Sequence, residues 1–355
     1  MVTSRAVIFQ GQGRDFTMAE FEVPSPAPGT ILLKMELCGI CGTDVHIYQE
    51  GNPRPLVFGH ENVGIIEALG AGVSTDFLGR PIKVGDRLVF QPGGTGLPPA
   101  YGLTDLADSP SKLSGGQADY IYLDKPGTAY FKTDLAPEVA VMFEPLTIGL
   151  HATDRSRIRI GDTVVIQGSG AIGLMSLIAA KHAGATKTIM VGGPAGRLEV
   201  AKQLGADVVI DLFDVSDPAE RLRMVLDETT RREGADVVIE CAGVRSAIIE
   251  GIEMTRYSGT FCELGHFIDV GDMTINPNKH FLKKDLTLVA PYGSRRDHFV
   301  RCLPLMEKEP HLFEGLVSHR LPLSRVKEGF EALSGRYLLD GRAAIKIAIE
   351  PALRA

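Results

Sequence analysis

Hydrophobic and polar positions follow two different patterns along this chain of 355 residues. The first third is dense in glycine and proline and contains short β-rich runs, namely Ala6 to Gln10, Thr30 to Leu37, Val63 to Leu69 and Arg87 to Gln91. Short strands that are separated by turn residues predict an irregular β-barrel or sandwich rather than layered α/β units.

After Leu150 the pattern changes to buried strands that alternate with helices. The predicted strands are Thr163 to Gln167, Thr188 to Val191, Asp207 to Ile210, Ala235 to Glu240, Gly259 to Leu264 and Leu286 to Ala290, and the predicted helices are Ala171 to Ala183 and Arg197 to Leu204. This alternation predicts βαβ crossovers and a doubly wound parallel sheet with helices on both faces. The chain is therefore predicted to be an α/β protein.

The tail of the chain resembles neither region. It contains an amphipathic helix, Leu323 to Leu333, and a final strand, Ala343 to Ile349. A strand this late in the sequence can return to the first domain. We therefore predict a β-rich domain of residues 1–150 that is completed by residues 291–355, and a second domain of residues 151–290.

Composition excludes some classes of protein. A formal charge of −7 argues against a general nucleic-acid binder. The five cysteines are odd in number and scattered, so we expect a reducing cytosol rather than a disulfide framework. No apolar run has the length of a signal peptide or a membrane span, and the sequence therefore predicts a cytoplasmic protein with no membrane partner.

A glycine-rich turn follows the predicted strand that ends at Gln167. Its residues are Gly168, Ser169, Gly170, Ala171, Ile172 and Gly173. Between a buried strand and a helix, this spacing is typical of a dinucleotide site, because Gly168 permits the tight bend and Gly170 lets a pyrophosphate approach the backbone. Gly173 allows close packing of the helix on the strand, and the first helical N–H groups face the phosphates. A tight turn without a ligand is the alternative interpretation.

The acidic residue that often contacts the adenosine ribose is missing from its usual place. No Asp or Glu lies between Gly173 and Glu199, and the strand runs instead into Gly192, Gly193 and Pro194. A neutral turn with Arg197 nearby would admit the 2′-phosphate of NADP. Arg197 is equally suited to stacking on adenine or to the surface, so the cofactor is predicted only as NAD or NADP.

A cluster of metal-binding and proton-transfer groups lies near the N-terminus. Its two segments are Cys41-Gly42-Thr43-Asp44-Val45-His46 and Gly59-His60-Glu61. A thiolate, an imidazole and a carboxylate together favour zinc over magnesium or calcium, which prefer shells of oxygen atoms. Taken alone, His60 would more often be a core histidine.

These motifs resemble the zinc-dependent medium-chain dehydrogenase/reductase family. The resemblance covers essentially the whole chain and includes GDRL at 85–88, GGQADY at 115–120, FEPL at 143–146 and ECAG at 240–243. It implies a GroES-like catalytic domain and a Rossmann cofactor domain. It also implies a homodimer or homotetramer.

The resemblance also implies roles for individual residues. Cys41 and His60 are expected to bind the zinc ion, and Glu144 lies at a position where the sorbitol and threonine dehydrogenase branch carries an acid. Glu61 either binds the metal or lies just outside its ligand shell. Thr43 and His46 occupy the proton-relay positions, and Asp44 is expected to orient a ligand. The neighbouring Cys38 is expected to be a buried thiol and His151 a structural histidine.

One departure from the family concerns a second zinc. Many relatives bind a structural zinc through four closely spaced cysteines, but residues 91–114 contain none. We therefore predict one catalytic zinc per subunit, with this lobe held by packing of Leu97, Tyr101, Leu103 and Leu106.

The resulting prediction is the reversible oxidation of a secondary alcohol or polyol to a ketone with NAD or NADP. The small-molecule substrate is not identified by the sequence. Two alternatives stay open, a zinc-independent reductase of enones or quinones on the same fold and a non-catalytic nucleotide-binding protein.

Overall fold

The computed structural model describes residues 2–11, 15–93, 100–335 and 337–354. Its strands are β1 (Thr3–Phe9), β2 (Phe16–Glu22), β3 (Ile31–Gly39), β4 (Leu56–Val57), β5 (Glu61–Leu69), β6 (Arg87–Phe90), β7 (Tyr120–Leu123), β8 (Tyr130–Lys132), β9 (Thr163–Gln167), β10 (Lys187–Gly192), β11 (Val208–Asp211), β12 (Ala235–Glu240), β13 (Thr255–Glu263), β14 (Thr287–Val289), β15 (Val317–Leu321), β16 (Leu338–Leu339), β17 (Arg342–Ala343) and β18 (Lys346–Ile349). Its α-helices are α1 (Gly42–Glu50), α2 (Pro137–Ala140), α3 (Phe143–Ser156), α4 (Ala171–Ala183), α5 (Ala195–Gln203), α6 (Pro218–Asp227), α7 (Arg245–Met254), α8 (Pro277–His280), α9 (Arg296–Lys308) and α10 (Val326–Ser334).

The chain divides into two compact units. The first comprises Met1–Glu144 and Arg295–Ala355, and the second comprises Pro145–Ser294. The sequence pattern sets these divisions at 150/151 and 290/291, a few residues away. The difference at the first division arises because helix α3 begins at Phe143, before the change in pattern that the sequence shows.

Among its described residues, the first unit contains two sheets of three or more strands and a separate antiparallel pair of short strands, β16 with β17. The larger has the order β15-β18-β3-β5-β6-β8, with β7 also paired to β3, and the smaller has the order β2-β1-β4. The predicted β-rich character is confirmed, and the final strand β18 pairs antiparallel with β3 through Ala348 opposite Gly39 and Ile349 opposite Cys38. The last strand of the described chain therefore lies in the sheet that also contains β5.

An aromatic cluster fixes helix α1 in the first unit. The Tyr48 ring on α1 lies 5.4 Å from the Phe330 ring on α10, and Phe330 lies 5.2 Å from Phe58, measured between ring centroids. Helix α10 also approaches the start of α1 closely, because a Cβ on Gly329 would lie 2.7 Å from Ile40 Cδ1. These contacts anchor the segment that carries Cys41 and Thr43.

The second unit is built on one parallel sheet of six strands. Its order is β11-β10-β9-β12-β13-β14, and every pairing in it is parallel. The predicted doubly wound α/β unit is confirmed, and β9, α4 and β12 have the predicted boundaries. The carboxyl ends of β9, β10 and β12 are adjacent, so the loops that follow them lie together.

No helix in the described ranges is long and apolar enough to cross a lipid bilayer.

Candidate metal and cofactor sites

Three of the predicted metal ligands lie together in the first unit. One ligand atom each from Cys41, His60 and Glu61 lies within 4.8 Å of the other two. The pairing of β3 with β5 produces this arrangement, because it places Glu61 opposite Gly39, two residues before Cys41. A Cβ on Gly39 would lie 2.0 Å from Glu61 Oε2, so only glycine leaves room for the carboxylate.

Asp44 connects two of these residues. Its Oδ2 accepts a hydrogen bond from the Cys41 backbone N–H at 3.0 Å, and its Oδ1 lies 3.3 Å from His60 Nδ1. The carboxylate is fully buried. Asp44 thus holds the backbone of one candidate ligand and the ring of another, which agrees with the orienting role expected for it.

The charges in this cluster favour a cation. Burial by itself lowers the pKa of His60, but the negative charges of Asp44 and Cys41 outweigh it, so the pKa lies well above its usual value. A buried imidazole that gains a proton so readily lies in a strongly negative environment. Buried sulfur, nitrogen and carboxylate donors in such surroundings suit a divalent zinc ion, so the residues fit the metal that the sequence predicts.

Glu144 lies in the first turn of α3 and is buried, with 9% of its surface exposed. Burial raises the pKa of Glu144 to about 7; Glu61 adds to the increase and His60 opposes it. Its carboxylate therefore interacts electrostatically with the cluster, although it is not among the three groups that lie within 4.8 Å of one another.

Lys346 is a member of this site that the sequence analysis missed. It lies on β18, is 2% exposed, forms an ion pair with Glu61 Oε2 and donates to the Ile40 carbonyl at 3.1 Å. Burial lowers the pKa of Lys346, but the Glu61 carboxylate raises it further, so the net shift is upward. The available signal was a single lysine in an otherwise apolar final strand, since buried lysines need a partner.

The proposed relay residues lie on α1. Thr43 and His46 are three positions apart, which places them on the same side of the helix, and both are half-buried. Cys38 is fully buried, its thiol contacts the Gly39 carbonyl at 3.7 Å, and burial raises the pKa of this thiol well above its usual value. The buried thiol expected for Cys38 is therefore what the structure shows.

Two further expectations concern structural residues. In the lobe after β6, Tyr101 is buried edge-on against Phe90 at 5.5 Å between ring centroids, while Leu103 and Leu106 are half-buried; Leu97 lies outside the described residues. In the second unit, His151 Nδ1 lies 2.7 Å from the Gly293 carbonyl oxygen, a contact that suits a structural histidine.

The glycine turn of the second unit gives each glycine a separate role. Gly168 has a φ of +96°, in the region that favours glycine, and a Cβ on Gly173 would lie 1.8 Å from the Gly168 carbonyl oxygen. A Cβ on Gly170 would meet only Arg197 Nη1, at 3.7 Å. Gly170 therefore borders open space where α4 begins with Ala171 and Ile172, which fits a pyrophosphate at a helix N-terminus.

The end of β10 packs against this turn. A Cβ on Gly192 would lie 2.7 Å from Ser169 Oγ, and this hydroxyl is 3.0 Å from both the N–H and the carbonyl oxygen of Gly193. Arg197 is buried at 6% exposure near Gly170. The predicted cofactor residues of both segments thus lie together, and they fit a dinucleotide.

A buried acidic group supports the neighbouring loop. Glu240 Oε1 accepts hydrogen bonds from the N–H groups of Ala242 and Gly243 at 2.7 and 2.9 Å. His266 Nδ1 lies 2.9 Å from Glu263 Oε1 and 3.6 Å from Glu240 Oε2. Burial, together with the Glu263 carboxylate, raises the pKa of Glu240 to about 8. The sequence alone indicates no role for Glu263 or His266.

Known protein families match both parts of the chain. Residues 27–132 match the alcohol dehydrogenase GroES-like domain, and residues 171–308 match the zinc-binding dehydrogenase family. The chain is 31% identical to 5-exo-hydroxycamphor dehydrogenase of Pseudomonas putida, over 96% of this chain and 98% of that protein. It is 30% identical to sorbitol dehydrogenase of Bos taurus, over 92% of each.

A solved structure gives the same result. The alcohol dehydrogenase of Thermotoga maritima superposes with a TM-score of 0.88 and 27% identity, over 99% of this chain and 100% of that one. The chain therefore belongs to the zinc-dependent medium-chain dehydrogenase/reductase family. It is an NAD(P)-dependent oxidoreductase of the alcohol dehydrogenase type.

Proposed function

We propose that Cys41 and His60 hold the catalytic zinc ion, with one of the carboxylates of Glu61 and Glu144 as the third donor, so that a coordination position stays open for the substrate oxygen. The observation that supports this assignment is the convergence of the Cys41, His60 and Glu61 ligand atoms within 4.8 Å. When bound, zinc supplies Lewis acidity at the substrate oxygen, and the nicotinamide ring of the cofactor accepts a hydride.

The chain's own residues prepare this chemistry before the substrate arrives. Asp44 fixes the His60 ring and the Cys41 backbone, so these donors need little rearrangement. Lys346 neutralises the charge of Glu61 inside the fold. Buried and oriented groups of this kind retain the strength of their electrostatic interactions because water is excluded from them.

We assign proton removal to Thr43 and His46. A hydroxyl can accept the proton of the substrate alcohol only if it passes its own proton onward, and an imidazole titrates in the range where such transfer is useful. Thr43 and His46 lie on one side of α1, and Thr43 is two residues after Cys41. These positions support the assignment. With a secondary alcohol or polyol as substrate, loss of this proton and of the hydride gives a ketone.

The stoichiometry follows from the donors that the chain offers. We propose one zinc ion per subunit, because residues 91–114 contain no cysteine for a structural site. We propose that the first unit is the catalytic domain and the second the cofactor domain, in a cytoplasmic homodimer or homotetramer.

The assignment is tested by the zinc content of purified variants. Cys41→Ala and His60→Ala should each lose almost all bound zinc and turnover, while nucleotide binding followed by reduced-cofactor fluorescence should stay within about threefold of wild type. Cys38→Ala is the matched control, because it removes a buried thiol three residues away and should retain one zinc ion. Normal zinc content in both Cys41→Ala and His60→Ala would refute the site.

The substrate class is tested on the same preparations. Secondary alcohols and polyols should be oxidised in parallel assays with NAD and NADP, and removal of zinc by a chelator should abolish the reaction. Full activity in a metal-free preparation would instead favour the zinc-independent enone or quinone reductase. Nucleotide binding without turnover of any alcohol would favour the non-catalytic alternative.

A further inference from the structure

The carboxylate expected beside the adenosine ribose can come from a different strand. Strand β10 ends at Gly192, and the chain then runs through Gly193 and Pro194. Neither the end of this strand nor the turn after it provides an acidic side chain. The neighbouring strand β11 ends at Asp211, which pairs in register with Gly192. An acidic residue therefore lies at the correct edge of the sheet, one strand further along.

The Asp211 side chain reaches the space beside the β10 turn. Its Oδ1 lies 3.0 Å from the position that a Cβ on Gly193 would occupy. The oxygens of an aspartate lie about 2.4 Å from their own Cβ by ordinary bond lengths. The Asp211 carboxylate thus occupies the region that an acidic side chain at position 193 would use.

This carboxylate lies close to the segment that contacts the dinucleotide turn. Gly193 N–H donates to Ser169 Oγ at 3.0 Å, and Ser169 lies inside the glycine turn. Asp211 Oδ1 accepts the N–H of Phe213 at 2.9 Å, which fixes the carboxylate. Among the described residues no donor bonds to Oδ2, and Asp211 is only half-buried. One acceptor is thus available to a ligand at this edge.

An exposed aromatic ring lies at the same place. The Phe213 ring is close enough to Gly193 that a Cβ there would lie 2.6 Å from Phe213 Cδ2, yet 67% of this residue is exposed. A large exposed aromatic surface beside a hydrogen-bond acceptor suits the adenosine end of a nucleotide, which combines a flat base with ribose hydroxyls.

We propose that Asp211 accepts a hydrogen bond from the adenosine ribose and makes this enzyme selective for NAD over NADP. The inference rests on the proposed cofactor site. A 2′-phosphate would bring two negative charges against the Asp211 carboxylate, and this repulsion disfavours NADP. Arg197 does not offset it, because its guanidinium lies beside Gly170, at the predicted pyrophosphate position.

Direct binding tests the inference without turnover. Dissociation constants of NADH and NADPH, measured by fluorescence on the zinc-loaded protein, should differ by about 100-fold in favour of NADH. Asp211→Asn keeps an oxygen that can accept the Phe213 N–H but loses the charge, and should narrow the ratio by about tenfold or more. Asp214→Asn, the same change of charge at an exposed position three residues on, is the control and should leave the ratio unchanged.

The outcomes separate this inference from the proposed reaction. A wild-type preference for NADPH, or an unchanged ratio in Asp211→Asn, would overturn the role of Asp211 even if alcohols are oxidised. If the dissociation constants of NADH and NADPH have the expected ratios but no alcohol is oxidised, the role of Asp211 is supported and the proposed reaction is refuted. Failure of the zinc-loaded protein to bind either nucleotide would refute both.

Discussion

At the scale of single residues, the ion pair of Glu61 with Lys346 shows how a charged site is kept inside a fold. Both side chains are almost completely buried, and the pair joins β5 to β18. Burying two charges brings little net stability, but removing one partner leaves the other charge buried without compensation. The pair therefore makes Glu61 depend on a residue near the end of the chain.

We expect Lys346→Met to lower the free energy of unfolding by about 3 kcal/mol, because Glu61 would remain buried without its counter-charge. Denaturant unfolding of the metal-free protein measures this loss. In the double variant Lys346→Met with Glu61→Gln the uncompensated charge is absent, so most of the stability should return. Equal stability of Lys346→Met and wild type would show that the pair contributes nothing.

The same residues show what the sequence reveals about the site. Cys41, His60 and Glu61 are visible because they lie in two short motifs of recognisable chemistry. Lys346 and Asp211 are not, because their roles depend on the pairing of β18 with β3 and of β11 with β10. Strand pairing between distant segments is a property of the tertiary fold, and no local spacing encodes it.

At the scale of elements, the turn between β9 and α4 separates glycines needed for folding from one needed for binding. Gly173 contacts the Gly168 carbonyl so closely that no side chain fits, whereas Gly170 borders open space. Substitutions at these two positions should therefore have different effects.

We expect Gly170→Val to retain the unfolding free energy of wild type within about 1 kcal/mol and to weaken nucleotide binding at least tenfold, because the side chain would occupy the pyrophosphate position. Fluorescence titration and thermal unfolding measure the two properties. Gly173→Ala should destabilise the protein itself by about 2 kcal/mol or more. Unchanged nucleotide binding in Gly170→Val would contradict the role of this turn.

The loop after β12 supplies a prediction for pH. The pKa of Glu240 rises from its ordinary value of 4.5 to about 8, chiefly through burial. Folding therefore favours the protonated form of Glu240. The contribution of this group to the free energy of unfolding is fully present below about pH 4.5 and is lost as the pH rises through about 8.

Glu240→Gln should remove this loss, because its amide oxygen can still accept the Ala242 and Gly243 N–H groups. Relative to wild type, we expect the variant to gain about 2 kcal/mol between pH 6 and pH 9 in denaturant unfolding. Glu199→Gln, an exposed carboxylate on α5, should show no such gain. A parallel pH dependence of Glu240→Gln and wild type would refute the assignment.

Element prediction succeeded where burial was complete and failed where it was partial. Strands β9 and β12 are each centred on a buried run of three apolar residues, and their boundaries were predicted correctly. Strand β2 was missed because four of its seven residues are exposed and none is buried, so it lacks a strong apolar run. Helix α7, which connects β12 to β13, was also missed. It contains Gly251 and several isoleucines, and these residue types have a low helix propensity.

At the scale of the whole molecule, the β14 edge of the parallel sheet is a surface on which we expect self-association. Strand β14 is the last strand of that sheet, and Leu288 on it is 54% exposed. A strand whose outer edge has no partner strand and whose apolar side chain is exposed is a surface for pairing with a second copy.

We expect Leu288→Lys to reduce the molar mass measured by light scattering after size-exclusion chromatography, because a buried lysine would oppose pairing at this edge. Val84→Lys is the control, since Val84 is similarly exposed at 59% but lies in the first unit. An unchanged mass of Leu288→Lys would show that this edge is not a subunit interface.

The position of β18 in the first sheet has a consequence for synthesis on the ribosome. Residues 145–294 are complete before Lys346 is made, whereas the sheet that contains β3 and β5 still lacks β18 and the partner of Glu61. Domains can fold as soon as they emerge. We therefore expect the second unit to fold on the nascent chain and zinc to be retained only after residues 346–349 emerge. Nascent chains stalled before and after this point would show that difference in zinc content.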